Sequence, residues 1–152
     1  MLTAMAGILD GYELDDARER LDRDAIWRFL STEAYWHRWR TRDLVETQID
    51  SAWRVVGLYH GADQVGFGRV ISDGVTLAYL ADVYVLGPHR GRGLGVALTR
   101  ELVEGGGAAD MRWLLHTADA HGLYERLGFR TPPETLMERP GAQRPPTRPG
   151  GQ

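Results

Sequence analysis

The sequence predicts a mixed α/β fold in a single domain, with a mixed central sheet, an antiparallel N-terminal meander and flanking helices. Three observations lead to this prediction. The chain has 152 residues, the usual size of one domain. Helical and extended hydrophobic patterns alternate along it. A glycine-rich stretch connects the longest extended segment to a helical one.

Two helices are predicted first, because each apolar pattern follows a capping residue. Asp22 precedes a helical pattern that reaches Leu30, and Thr41 precedes a second one that reaches Ile49. Side-chain oxygens at these positions accept hydrogen bonds from amides of the first turn. The aromatic residues at 35–39 lie between the two predicted helices.

An antiparallel meander is predicted next. Segments 53–59, 65–71 and 75–86 are rich in residues that favour strands. Residues 60–63 form the first predicted turn, and the Asp-Gly pair at 73–74 is a strong hairpin signal.

A strand–helix–strand crossover is predicted after the meander. Residues 93–104 have apolar side chains at helical spacing, and three glycines at 105–107 end that pattern. A buried strand is predicted at 111–115, followed by a short helix at 121–127 that Gly128 closes.

The domain itself is expected to span residues 10–139. Residues 1–9 are expected to be a flexible N-terminus, and residues 140–152 a disordered Pro/Gly-rich tail, because PGAQRPPTRPGGQ offers almost nothing to a core.

Composition excludes several classes of function. The chain has no cysteine and no lysine, which excludes thiolate metal sites, a cysteine nucleophile and a lysine Schiff base. A net charge of -3 does not fit a nucleic-acid or anionic-membrane binder. No apolar run approaches the roughly 20 residues of a membrane helix, and no signal peptide is recognised. We therefore expect a cytoplasmic protein with no membrane, nucleic-acid or metal partner.

The most informative segment is the glycine loop at 87–95, which joins a strand to a helix. Such a turn presents free amides at the positive end of the helix dipole, and Arg90 and Arg92 can add charged hydrogen bonds. The predicted ligand is a pyrophosphate or a similar anion. A dinucleotide fingerprint fits poorly because position 96 is valine and a meander precedes the loop, and a P-loop lacks its lysine.

Arg90-x-x-Gly93-x-Gly95 resembles the R/Q-x-x-G-x-G/A signature of the GNAT superfamily of N-acetyltransferases. Leu123-Tyr124 to Gly128-Phe129 is similar to its L-Y-x-x-x-G-F element. The resemblance covers about residues 10–139 and is most specific at 78–129. Two departures are Gly87-Pro88, where the family usually has its proline one place earlier, and the 116–119 stretch, which lacks the usual asparagine.

The resemblance implies direct transfer of an acetyl group from acetyl-CoA to a primary amine, most simply of a small molecule. A protein or peptide acceptor and a catalytically silent acyl-CoA-binding regulatory module are the alternatives, and a homodimer is possible. The implied coenzyme contacts are Val83, Tyr84, Val85, Arg90, Gly91, Arg92, Gly93, Leu94, Gly95, Val96, Thr117 and His121.

Two residues are candidates for catalysis. By the resemblance Tyr124 lies near the CoA sulfur, where a phenol can act as general acid toward the leaving thiolate. Asp82, beside the expected acetyl site, is the candidate base, although it could instead face away and pair with an arginine. Competitors for the base are Glu33, His116 and Asp119, the last of which could also cap the final helix.

The candidate acceptor site includes Tyr35 and Trp36 of the aromatic stretch, together with Phe67 and Arg69. Aromatic faces can hold an apolar body or a cation, but they could equally pack the two helices together. Arg69 would favour an acceptor with a carboxylate if it points inward, and would otherwise lie on the surface.

Overall fold

The computed structural model describes residues 8–141; the predictions for the remaining terminal residues, 1–7 and 142–152, lie outside the described range. The strands are β1 (Ile8–Leu9), β2 (Tyr12–Asp15), β3 (Arg54–His60), β4 (Asp63–Ser72), β5 (Leu77–Val85) and β6 (Arg112–Leu114). The helices are α1 (Arg23–Thr32), α2 (Arg42–Ser51), α3 (Leu94–Glu104) and α4 (His121–Glu125). None of the helices found between residues 8 and 141 is long and apolar enough to cross a bilayer.

The strands form one mixed sheet in chain order, which confirms the predicted fold class. β1 to β5 are antiparallel neighbours, and β6 lies parallel to β5 after the crossover through α3. This sheet separates two hydrophobic cores. α1 and α2 pack on one face around Phe67 and Tyr84, whereas α3 packs on the other through Leu98 and Leu102.

The predicted helix starts are confirmed. The Asp22 carboxylate accepts a hydrogen bond from the Ala25 amide at 3.0 Å, and the Thr41 hydroxyl accepts one from the Leu44 amide at 3.3 Å. The β1–β2 hairpin was not predicted, and β1 lies within the segment expected to be flexible. The last helix ends at Glu125, earlier than expected.

A β-bulge interrupts the pairing of β5 with β4. Phe67 pairs with Tyr84 and Arg69 with Ala81, so two residues of β5 oppose Gly68 alone. Asp82, one of the two, has a left-handed φ of 55°, which is uncommon outside glycine. β6 pairs with β5 only at Leu77–Tyr79. The edge of β5 beyond Tyr79 therefore has no β6 partner and borders a cleft.

Candidate active site

The cleft is a cavity of about 1140 Å³ that continues from the start of α3 to the loop between α1 and α2. The β5 edge forms one wall and α4 with the segment before it forms the other. The glycine loop and the α1–α2 loop thus border one continuous space. Its lining includes Tyr35, Trp36, Asp82, Val83, Arg90, Gly93, Leu94 and Tyr124.

The glycine loop presents uncapped amides to this cavity. Gly93 is the N-cap of α3 and no side chain caps the helix. The first amide bonded within the helix is that of Ala97, which donates to the Gly93 carbonyl. The amides of Leu94, Gly95 and Val96 are therefore available to a ligand, at the positive end of the helix dipole. This arrangement suits an anion such as a diphosphate.

Glycine is favoured in this loop for two different reasons. Gly91 and Gly93 have φ values of 82° and 80°, which L side chains rarely adopt, although a Cβ there would meet no atom within 4 Å. Gly95 has an ordinary backbone, but its Cβ would lie 3.1 Å from the Leu123 side chain. The first two glycines shape the anion site, and the third lets α4 approach α3.

The two loop arginines differ in position. Arg90 lines the cavity, and its Nε donates to the Val85 carbonyl at 2.8 Å, which anchors the guanidinium at the end of β5. Arg92 is exposed and does not line the cavity. Of the two, Arg90 is thus the one placed to contact an anion in the cavity.

Tyr124 lies on α4 and faces the cavity, with its ring 5.8 Å from that of Phe129 in an edge-on contact. Burial, and then the nearby Tyr35 and Asp119, raise the pKa of Tyr124 to about 12. The phenol is therefore protonated throughout the physiological range and is available there as a hydrogen-bond donor.

A buried carboxylate cluster stands beside the β5 bulge. The Asp82 carboxylate accepts two hydrogen bonds from Arg40, at 2.9 and 3.0 Å, and one from Arg69 Nε at 2.7 Å. The Trp36 indole donates a fourth, at 2.7 Å. Arg40, Arg69 and Asp82 are each no more than 6% exposed.

This environment argues against the predicted role of Asp82 as general base. Burial by itself would raise the pKa of Asp82, but the Arg40 hydrogen bonds and the charges of Arg69 and Arg40 lower it to about 2. Its oxygens are already engaged by four donors. Asp82 instead matches the alternative reading, in which it pairs with an arginine.

A second polar group links Tyr79 and His116, which line the cavity, to Glu138, which does not. The Tyr79 hydroxyl lies 2.5 Å from His116 Nδ1, and His116 Nε2 lies 2.7 Å from Glu138 Oε2. Because an ionised carboxylate only accepts, Nε2 carries the proton and Nδ1 accepts from Tyr79. The pKa of Tyr79 is raised, chiefly by burial.

Some of the remaining predicted residues line the cavity and others do not. Phe67 is fully buried in the α1–α2 core, so its expected position in the pocket is wrong. His121 is exposed outside the cavity lining, whereas Thr117 lines it. Tyr84 stacks its ring on Phe29 at 3.8 Å between centroids, so its backbone is the part suited to a ligand.

Tyr35 crosses the mouth of the cleft. Its hydroxyl lies 3.4 Å from Asp119 Oδ1 and accepts from the Ala118 amide at 3.2 Å. Asp119 therefore contacts Tyr35 and does not cap α4, whose N-cap is Ala120 with no side-chain cap hydrogen bond. Thr117 instead accepts from the Ala120 amide, just before the helix.

Three residues of this site were not predicted from the sequence, namely Arg40, Tyr79 and Glu138. Each belongs to the site only through tertiary contacts, and no local motif marks it. For residues 8–141, no group of three or more His, Asp or Glu side chains could hold a metal ion.

Comparison with known proteins agrees with this geometry. Residues 51–131 match the acetyltransferase (GNAT) domain family. A provisionally named acetyltransferase from Gibberella zeae is 31% identical over 143 residues, with 81% of this chain and 75% of that protein covered. The crystal structure of a provisionally named GNAT acetyltransferase from Xanthomonas campestris pv. campestris is 40% identical, covers 89% of this chain and 96% of its own, and has a TM-score of 0.79.

A second crystal structure, of a provisionally named acetyltransferase from Deinococcus radiodurans R1, shares the fold at 20% identity and a TM-score of 0.65, with 91% and 94% of the two chains covered. At that identity the likeness concerns the fold alone. The family match spans more than half of the chain and includes the glycine loop and Tyr124. The chain therefore belongs to the GNAT family of acetyltransferases.

Proposed function

We propose that the protein transfers an acetyl group directly from acetyl-CoA to a primary amine of a small molecule. The observation that carries the proposal is the single cavity, which joins the uncapped amides of α3 to the Tyr124 phenol and the buried arginine cluster. The chain has no cysteine that could carry the acetyl group covalently, which fits direct transfer.

A small acceptor is favoured over a peptide by Tyr35. Its contacts with Ala118 and Asp119 span the cleft from the α1–α2 loop to the opposite wall. A peptide lying along the cleft would have to displace this bridge, whereas a small amine fits beneath it.

The residues around the donor half suit acetyl-CoA. The amides of Leu94, Gly95 and Val96 and the Arg90 side chain would hold the diphosphate. The β5 edge at 83–85 offers backbone groups to the pantetheine arm. Acetyl-CoA supplies an activated thioester, and the chain supplies orientation and proton handling.

Tyr124 is proposed to assist departure of the thiolate chiefly as a hydrogen-bond donor. A phenol of pKa about 12 is a weaker acid than a thiol of pKa about 8.5. Complete proton transfer would be uphill by about 5 kcal/mol, since each pKa unit is worth about 1.4 kcal/mol. A hydrogen bond that strengthens as charge develops on sulfur avoids that cost.

Proton removal from the amine is assigned to the Tyr79–His116–Glu138 group rather than to Asp82. The Tyr79 oxygen can accept the amine proton while its own proton passes to His116 Nδ1. Glu138 then stabilises the imidazolium through Nε2. His116 was one of the competing candidates for the base, and its contacts now support it.

The proposal is tested by acetyl-CoA calorimetry and by release of CoA thiol with a panel of primary amines. A thiol reagent reads CoA alone, because the chain contains no cysteine. In Tyr124→Phe we expect kcat to fall about 10- to 100-fold, the value of one hydrogen bond to a developing charge, with little change in acetyl-CoA affinity.

Tyr59→Phe is the matched control, because the Tyr59 hydroxyl is buried on β3 without a hydrogen-bond partner among the described residues. Its turnover should equal that of the wild type. Tight acetyl-CoA binding without thiol release for any amine would instead favour the silent binding module. Unchanged turnover in Tyr124→Phe would remove the role of Tyr124.

A further inference from the structure

We propose that the acceptor carries an anionic group, most simply a carboxylate, close to its amine, and that Arg69 binds it. This inference rests on the acetyl transfer proposed above and deepens it by naming the acceptor class. It follows from the charge, the free donors and the rigidity of the cluster at the β5 bulge.

The cluster at the β5 bulge carries a net positive charge. Arg40 and Arg69 face one carboxylate, that of Asp82, so the three side chains carry a net charge of +1. The other acidic side chains on the cavity wall, Glu33 and Asp119, are exposed at the rim. An uncompensated buried cation is unfavourable. A ligand anion at this end of the cavity would neutralise it.

The second step is the inventory of donors. Arg40 uses Nε on the His37 carbonyl, Nη1 on Gln48 and Asp82, and Nη2 on Asp82. Arg69 uses only Nε, and its Nη1 and Nη2 groups have no acceptor within residues 8–141. In the described part of the chain, the fully enclosed side-chain N and O atoms without a partner are Tyr59 Oη and Thr99 Oγ1. The Arg69 Nη groups are not among them, so they retain access to the cavity that Arg69 lines.

The third step is the shape and stiffness of the site. A guanidinium presents its two Nη groups in a planar fork that matches both oxygens of a carboxylate. Asp82 fixes this fork through the 2.7 Å bond to Nε, so little side-chain entropy remains to be lost when an anion binds. The fork lies beside Asp82, and the next residue, Val83, begins the edge of β5 that is proposed to hold the pantetheine arm with its acetyl group. A short linker between amine and anion therefore satisfies both sites, as in an amino acid.

The test uses product-like probes whose binding does not depend on turnover. N-acetylated glycine, alanine, leucine and phenylalanine are titrated by calorimetry against their carboxamides, with CoA and without it. The proteins compared are the wild type, Arg69→Gln, Arg69→Lys and the control Arg38→Gln, in which an exposed arginine outside the cavity lining is changed. Thermal unfolding of each variant confirms that it is folded.

For at least one N-acetylated amino acid, the wild type and Arg38→Gln should bind the carboxylate about tenfold or more tightly than the carboxamide. This is the usual effect of hydrogen bonds to a charged group. Arg69→Gln should reduce that preference to within about threefold. Arg69→Lys, which keeps the charge but loses the fork, should retain only part of it. A wild type that binds each carboxylate no better than its amide, or a preference that survives Arg69→Gln, would overturn the inference.

Failure of the proposed function is visible separately in the CoA titration. Absence of CoA binding would refute acetyl transfer, whereas the probes titrated without CoA would still decide whether Arg69 holds an anion. If all four proteins bind CoA equally and Arg69→Gln alone loses the preference for carboxylate probes, that preference arises in the acceptor half of the cavity.

Discussion

Replacing Asp82 by asparagine separates its structural role from the catalytic role that its sequence position suggested. The change keeps the size of the side chain but leaves the buried guanidinium groups of Arg40 and Arg69 opposite a neutral amide. One of the new amide hydrogens must also point toward an arginine donor, because both carboxylate oxygens now accept hydrogen bonds from arginine.

The expected cost can be bounded from two sides. Lowering the pKa of Asp82 from its ordinary 3.8 to about 2 corresponds to about 2 kcal/mol of stability at neutral pH. Removing one partner of a buried ion pair costs about 3–5 kcal/mol. We therefore expect Asp82→Asn to lose about 3 kcal/mol, or roughly 10 °C in Tm for a domain of this size.

The pH dependence has a definite sign. Because the folded pKa lies below the unfolded value, the ionised carboxylate stabilises the protein above about pH 4, and this contribution is lost as the pH falls toward 2. Other carboxylates, such as those of Asp15 and Asp73, also have lowered pKa values, so both proteins should lose stability in acid. Urea unfolding between pH 2 and 7 should show a loss about 2 kcal/mol smaller in Asp82→Asn than in the wild type. Asp110→Asn, an exposed turn variant, should retain the wild-type behaviour.

The same variant tests catalysis. We expect Asp82→Asn, where folded, to keep the limb of the pH–rate profile in which activity rises with pH, because the base is assigned to His116. The double variant Arg69→Met/Asp82→Asn should be more stable than Asp82→Asn, since one unpaired buried charge is removed. An Asp82→Asn protein of wild-type stability that has lost the rising limb would refute this reasoning and restore Asp82 as the base.

Three further variants probe other parts of the molecule. Gly93→Ala places an alanine in a left-handed conformation, which costs about 1–2 kcal/mol, and calorimetry should show CoA binding weakened about 5- to 30-fold. Gly61→Ala, at an equally left-handed position in an open turn, should not change CoA binding. His116→Ala should lower kcat about 100-fold, in part restored by added imidazole, with unchanged CoA affinity. Arg54→Met should lose about 2 kcal/mol in urea unfolding, because Arg54 binds the Glu101 carbonyl and carboxylate at the end of α3. Wild-type values in these assays would contradict each assignment.

Local sequence signals were sufficient to predict those features that depend on one residue and the backbone within a few positions of it. Asp22 and Thr41 cap helices through amides three residues later, so their roles can be read without knowing the rest of the fold. The same holds for Gly91 and Gly93, whose left-handed conformations depend on the missing side chain. These signals fixed the helix starts and the anion loop.

The contacts of the proposed acceptor half could not be predicted in this way, because they join distant segments. Arg40 and Asp82 are 42 residues apart, and no spacing rule connects them. Phe67 was misplaced because β4 is buried on both faces over most of its length, so the alternation that separates core from cleft is absent. The left-handed conformation of Asp82 could not be predicted from residue propensities either, because these favour glycine at such a φ.

The bulge explains why the proposed donor and acceptor sites meet at one point of β5. The extra residue directs the Asp82 carboxylate toward Arg69 and Arg40 on the α1–α2 face. Val83, the next residue, lines the cavity where β5 has already lost its β6 partner. One backbone irregularity thus orients the arginine that is proposed to hold the acceptor and the strand that is proposed to hold the acetyl group. The four hydrogen bonds to Asp82 are the interactions that hold this irregularity in place, so the stability of the cluster and the alignment of the two substrates depend on the same contacts.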